Sequence, residues 1–199
     1  MIYPPQLIMS SSFKCAEKSS ETLPPAGESP APAVRVAGSA GEFRLVAARG
    51  IARGEVLFQI EGVRTRRPTR YSVQIGTRLH IDLGPGHSTD EILNRYFWRF
   101  MNHACEPSAW IRDQEVIALQ SIEPGEDVTF DYNSTEYEMA EPFACRCGSR
   151  HCLGRIRGFK HLSPARRELL RPYLAPHLMR YLEPTLEPNA EPDGVPVPA

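Results

Sequence analysis

A chain of 199 residues with a net charge of −1 and 41% hydrophobic residues has room for one domain with a proper core, and no bulk charge to draw it to nucleic acid. No apolar run approaches the roughly 18 residues that span a bilayer, and the first residues, interrupted by Pro4 and Pro5, lack the basic leader of a secretory signal. Five cysteines, an odd number, argue against a secreted disulfide framework, so a soluble, intracellular protein in a reducing compartment is expected.

More than half of the 19 prolines fall in residues 1–33 and 183–199. Such segments bury too little apolar surface to offset chain entropy, and both are expected to be disordered. Cys15 lies in the first and is read as unrelated to the other cysteines. Between them the pattern is mostly that of short strands. Phe43–Ala47 and Val56–Ile60 are apolar clusters separated by Arg49-Gly50-Ile51-Ala52-Arg53-Gly54. Tyr71–Ile75 and Leu79–Leu83 flank a turn at Gly76-Thr77 and predict a hairpin. Ser88 with Glu91 makes a capping box, and Ile92, Leu93, Tyr96, Phe97 and Phe100 then share a helical face.

Trp110–Arg112 and Val116–Leu119 flank Asp113-Gln114 as a second hairpin, and Glu123-Pro124-Gly125 opens a strand over Val128–Tyr132. Ser163-Pro164 is a good N-cap and first-turn pair for a last helical region, which Pro172 and Pro176 must break. The run Arg64, Arg66, Arg67 and Arg70 reads as a solvated loop.

Cys145, Cys147 and Cys152 form a C-x-C-x4-C cluster, and Cys105 lies upstream inside Asn102-His103-Ala104-Cys105-Glu106-Pro107. Thiols one residue apart rarely enter separate disulfides, whereas closely spaced thiolates converge well on a tetrahedral ion. The expected ligand set is Cys105, Cys145, Cys147 and Cys152, holding a structural zinc that pins the C-terminal segment onto the Asn-His stretch.

Three segments read together carry more. Arg99-Phe100-Met101-Asn102-His103-Ala104-Cys105-Glu106-Pro107, then Gly125-Glu126-Asp127-Val128-Thr129-Phe130-Asp131-Tyr132, then the cysteine cluster, follow one another in order. In that order they resemble the SET domain of protein-lysine methyltransferases, with its R-F-x-N-H-S-C-x-P, G-E-E-L-T-F-D-Y and post-SET C-x-C-x4-C motifs. Ile51-Ala52-Arg53-Gly54-Glu55 also looks like that family's I-x-x-G-E entry segment.

The resemblance implies a mainly β fold with few short helices, small sheets around a pseudoknot, and a post-SET zinc clasp. It divides the chain into a SET domain over 34–140, a zinc segment over 141–160 and a helical segment over 161–182. It implies transfer of methyl groups from S-adenosylmethionine to the ε-amine of a lysine in a protein or peptide, with no membrane and no direct nucleic-acid contact expected. Asn102, His103, Arg44 and Tyr132 are placed at the cofactor by this likeness. Tyr132 matches the catalytic tyrosine and Tyr71 the second tyrosine of the lysine channel. Phe130 stands where a tyrosine hydroxyl would restrict transfer to one methyl, so it implies di- or trimethylation; it also reads simply as a buried strand aromatic.

Chemistry makes these residue types sensible. A lysine ammonium, with an ordinary pKa near 10.4, must lose a proton before it attacks, and burial beside a sulfonium favours that loss. Tyrosine, near 10, is a poor base at neutral pH and better suited to positioning the amine. The sequence departs from the family pattern at Glu42 and Arg44, where glycines are usual, at Ala104 for serine, and at Ser108 for asparagine. The glycine departures raise an alternative, a SET-fold binding module without catalysis.

Overall fold

The computed structural model describes residues 31–39 and 42–182; the expectations for residues 1–30 and 183–199, Cys15 included, lie outside them. Their twelve strands are short because turn residues recur every few positions. β1 (Val34–Ser39) and β2 (Glu42–Ala47) form an antiparallel hairpin. β3 (Val56–Gln59), β9 (Glu115–Ala118) and β8 (Ala109–Arg112) form one three-stranded sheet, and β4 (Val63–Thr65), β6 (Leu79–Asp82) and β5 (Val73–Gly76) another.

Both expected hairpins form. The β5–β6 turn centres one residue later than the sequence suggests, on Thr77-Arg78, because a register shift between Gln74 and Gly76 uses up a residue. The β8–β9 turn places Asp113 at φ 49° and Gln114 at φ 69°, the left-handed pair that matches strand twist in a two-residue loop.

The expected helix is shorter than its apolar face. Ser88 caps α1 (Thr89–Arg95) by accepting the Glu91 N–H at 3.1 Å, but Tyr96 leaves helical geometry and Phe97–Phe100 continue as a 3-10 turn. That break turns Trp98 inward, where its indole N–H donates to the Glu61 carbonyl at 3.0 Å. The last region matches its proline punctuation. Ser163 caps α2 (Pro164–Leu170), Arg171–Tyr173 form a 3-10 turn at Pro172, and α3 (Pro176–Met179) starts on the next proline.

Two hydrophobic clusters hold these pieces. Leu45, Trp98, Ile111, Val116, Val128 and Phe130 belong to the larger, and Phe159, Leu170, Leu174 and Leu178 to the smaller. No helix among the described residues is long and apolar enough to cross a membrane.

Candidate active site

The centre of the site is a crossing of two chain segments. β7 (Asn102–His103) runs parallel to β10 (Thr129–Phe130), pairing Asn102 with Thr129 and His103 with Phe130. The Ala104 N–H adds a bond to the Phe130 carbonyl at 3.2 Å. Ser108 locks the crossing from below. Its hydroxyl donates to the Asp127 carbonyl at 2.8 Å and accepts the Thr129 N–H at 3.0 Å, while its own N–H donates to Thr129 Oγ1 at 3.2 Å.

The chain leaves β10 into a 3-10 turn over Tyr132–Ser134, capped by Asp131, whose Oδ1 accepts the Asn133 N–H at 3.0 Å. The expected strand through Tyr132 thus stops at Phe130, and the turn aims the Tyr132 ring into a cavity of about 420 Å³. The cavity brings together Tyr71, Asn102, His103, Phe130 and Tyr132, with Met101, Trp98 and Phe143 completing its walls. Its size suits a small-molecule site.

Tyr132 donates its hydroxyl to the Met101 carbonyl at 2.8 Å. Burial, with the nearby Glu136 carboxyl adding to it and Arg70 opposing, pushes its pKa up to about 12. The ring is therefore a neutral phenol whose oxygen lone pairs remain available to accept. Phe130 tilts against it at 4.7 Å between centroids and is buried. Tyr71 sits two residues before β5, 47% exposed, with the Arg99 guanidinium over its ring at 4.6 Å.

His103 faces inward. Its Nδ1 accepts the Tyr132 N–H at 3.2 Å, which leaves the ring proton on Nε2, 3.3 Å from Cys105 Sγ. Burial, aided by Arg166, holds its pKa down at about 4, so it is neutral. Both ring nitrogens are spent on the protein; Asn102, exposed in the same strand, also lines the cavity.

Arg44 lies outside the cavity's lining. Its guanidinium pairs with the Asp127 carboxylate on the surface, tying β2 to the segment before β10. That segment is also stitched to β2 by the backbone, Val128 N–H to Leu45 carbonyl and Ala47 N–H to Glu126 carbonyl, each at 2.9 Å. Gly38 is needed for packing: at φ 134° a Cβ there would lie 2.0 Å from the Glu42 carbonyl oxygen.

The four sulfurs of Cys105, Cys145, Cys147 and Cys152 all lie within 4.8 Å of one another. Cys105 Sγ accepts the Leu153 N–H at 3.4 Å, and His103 Nε2–H points at the same atom. Zinc–sulfur bonds of about 2.3 Å need sulfurs about 4 Å apart in a tetrahedron, and Cys105 and Cys145 stand at 4.0 Å. The donor set fits zinc. As free thiols Cys105 and Cys145 are pushed up by burial, Cys145 to about 11, and an ion at this position would displace those protons. The cluster's carrier, β11 (Phe143–Ala144) paired with β12 (Arg155–Ile156), places Phe143 against both His103 and Tyr132 at 5.9 Å.

Some residues here escape sequence reasoning. Glu136 lines the cavity and is 6% exposed, yet it belongs to a polar run, Asn133-Ser134-Thr135-Glu136, that reads as surface. Its partner Gln74 and neighbour His80 come from another hairpin. Phe143 carries one usable signal, its place just before the cysteine cluster.

A family model described as the SET domain matches residues 42–133. Methyltransferase flvH of Aspergillus flavus is 34% identical over 114 residues, 54% of this chain and 58% of that protein. A histone-lysine N-methyltransferase of Yarrowia lipolytica, H3 lysine-36 specific, is 32% identical over 131 residues, 58% of this chain and 17% of that protein. The chain thus spans about three fifths of the first relative and under a fifth of the second. The solved structure of KRYPTONITE in complex with mCHG DNA and SAH superimposes at TM-score 0.45 and 24% identity, over 59% of this chain and 27% of that one. The span that matches the SET-domain model covers the β7–β10 crossing and Tyr132, and beside it stands a cysteine cluster suited to zinc.

Proposed function

We propose that the chain transfers methyl groups from S-adenosylmethionine to the ε-amine of a lysine in a protein, with a SET domain over 34–140, a zinc segment over 141–160 and a helical segment over 161–182. The observation that carries this is Tyr132 Oη, tethered to the Met101 carbonyl at 2.8 Å inside a cavity that the Asn102-His103 strand also lines. The relatives named histone-lysine N-methyltransferases support it and make a histone tail the first substrate to try.

The cofactor supplies a methyl group on an electrophilic sulfonium. Asn102 and the backbone of His103 would hold it, with Phe143 closing over them. Phe130, Trp98 and the Tyr132 ring desolvate the incoming amine, which disfavours its charged form. Tyr132, a phenol at neutral pH, accepts from the amine or from the polarised methyl through its free lone pairs, and its bond to Met101 fixes that direction. Phe130 carries no hydroxyl where the resemblance would place a second one, which supports more than one methyl per lysine. Zinc on the four cysteines would hold Phe143 in place and takes no part in the transfer.

Labelled cofactor with purified core histones tests this. Tyr132→Phe should lower turnover at least tenfold, and Asn102→Ala should weaken cofactor binding in a calorimetric titration. Turnover indifferent to both substitutions sinks the assignment. The placement of Arg44 on Asp127, away from the cavity, favours a second reading as a binding module. Failure of the wild-type chain to bind S-adenosylmethionine selects that reading.

A further inference from the structure

Tyr132 shares its cavity with a buried acid. Glu136 lies one turn on, its N–H donating to the Tyr132 carbonyl at 2.9 Å. One carboxyl oxygen is fixed, accepting the Gln74 N–H at 2.7 Å and the Thr135 hydroxyl at 3.2 Å. The other stands 3.8 Å from His80 Nε2, beyond hydrogen-bond length. A carboxylate this deep costs several kcal/mol of desolvation. Held firmly at one oxygen and loosely at the other, it gives the cavity a proton acceptor.

We propose that Glu136 takes the proton that the substrate lysine must lose before methylation. This rests on the cavity being a lysine methyl-transfer site, and deepens that reading. The Nζ–H bond breaks with its electron pair left on nitrogen, and the proton passes to the free oxygen of Glu136, directly or through one water. Ammonium and carboxylate become amine and carboxylic acid. The nitrogen pair then forms the N–C bond while the C–S pair returns to sulfur, so the positive charge moves from the sulfonium to the methylated ammonium. Glu136 releases its proton to solvent when product leaves.

The surroundings keep the acid in play. His80, on β6, is held below its ordinary pKa chiefly by burial, and His177, on α3, is down at about 4 for the same reason while bonded to the Thr135 carbonyl at 2.8 Å. Neither brings a charge at neutral pH. Arg70, before β5, faces Glu141 at 3.9 Å, and Arg99, beside Tyr71, pairs with Asp82 at 3.0 Å, so both cations have acidic partners of their own. From the turn itself comes only the phenol of Tyr132. Burial lifts the Glu136 carboxyl to about 7, with the Gln74 and Thr135 donors opposing it. An acceptor near working pH is what proton transfer favours, and Tyr132 at about 12 does not meet that condition.

The test measures kcat/KM of the full chain with tritiated S-adenosylmethionine from about pH 5.5 to about 9.5, on core histones and on whole-cell lysate. The wild type should rise with pH, bend near pH 7 and level off. Glu136→Gln, which keeps an oxygen for Gln74 and Thr135, should fall about a hundredfold at neutral pH and lose the bend, rising about tenfold per pH unit instead. Glu136→Asp should keep the bend. Parallel profiles for wild type and Glu136→Gln overturn this inference and leave the methyltransferase reading intact. No label from the wild type on either acceptor overturns that reading, and this inference with it. Should Glu136→Gln show no cooperative melt, the wild-type and Glu136→Asp profiles decide, and a missing bend in both overturns the proposal.

Discussion

Ser108 occupies a position where the SET pattern usually has asparagine, and its hydroxyl does two jobs at the crossing. It donates to the Asp127 carbonyl and accepts the Thr129 N–H from a buried position, so a shorter side chain ties the two backbone groups where the pattern usually has an amide. Ser108→Ala strands both backbone groups at a cost of about 2 kcal/mol. For a domain of this size that is a fall of roughly 4–8 °C in Tm, measurable by thermal melting, with cofactor affinity at low temperature nearly unchanged. A melt indistinguishable from wild type would mean that water replaces the hydroxyl. The four cysteines are legible because their chemistry forces a spacing, whereas Asn102 and Tyr132 are singled out only by motifs that resemble those of SET domains. Glu136, His80 and Gln74 are not: a lone acid or histidine in a polar run looks solvated until α3 and the β5–β6 hairpin bury it. Arg44 is misleading for the converse reason, since its partner Asp127 lies far along the chain and only the fold brings them together.

At the scale of elements, α2 does more than fill space. Its start is dictated by Ser163 and Pro164, and the cap bond from the Arg166 N–H to Ser163 Oγ at 3.3 Å fixes the first turn. Arg166 then reaches the crossing, donating to the Cys105 carbonyl at 2.9 Å and approaching Asp131 Oδ2 at 3.5 Å. Asp131 is 2% exposed, and burial raises its pKa while the Asn133 donors and Arg166 pull it back. Because its folded-state pKa stands above the ordinary value, the folded protein binds this proton more tightly than the unfolded chain does. The group therefore favours folding most at low pH, and stability is lost as pH rises from the unfolded value through the folded one. Arg166→Met removes the compensating cation and enlarges the shift. Its destabilisation should be small near pH 4 and grow to about 2 kcal/mol near pH 7, read from paired urea melts. A pH-independent gap would show that only the Cys105 carbonyl bond matters. The helix was legible in the sequence through its cap and prolines, but what Arg166 touches was not, since helical periodicity says which face is inward and never which distant carbonyl it meets.

On the scale of the whole molecule, a metal on the four cysteines would join parts that are otherwise held by separate means. The larger hydrophobic cluster packs the sheets of residues 33–130, and the smaller packs residues 159–178. Neither contains Phe143 or the cysteine loop, whose β11–β12 ladder pairs only two residues per strand. Two-stranded ribbons of that length are marginal in water, so the sulfur cage is what can keep this loop against the cavity. Cysteine protonation opposes the cage, because zinc must displace those protons to bind, so its hold strengthens as pH rises. Removing zinc with a chelator, or substituting Cys147→Ser, should therefore release Phe143 from His103 and Tyr132 and lower methyl transfer and cofactor affinity at least tenfold. The strands of residues 43–83, packed in the larger cluster, should keep most of their circular dichroism and a cooperative melt. The two signals should separate because the ion would hold the cavity wall while burial holds the β core. Transfer that persists in protein shown to be metal-free by elemental analysis would mean that the loop needs no ion to close the site. Collapse of the whole spectrum on chelation would mean that the cage supports the core as well as the wall.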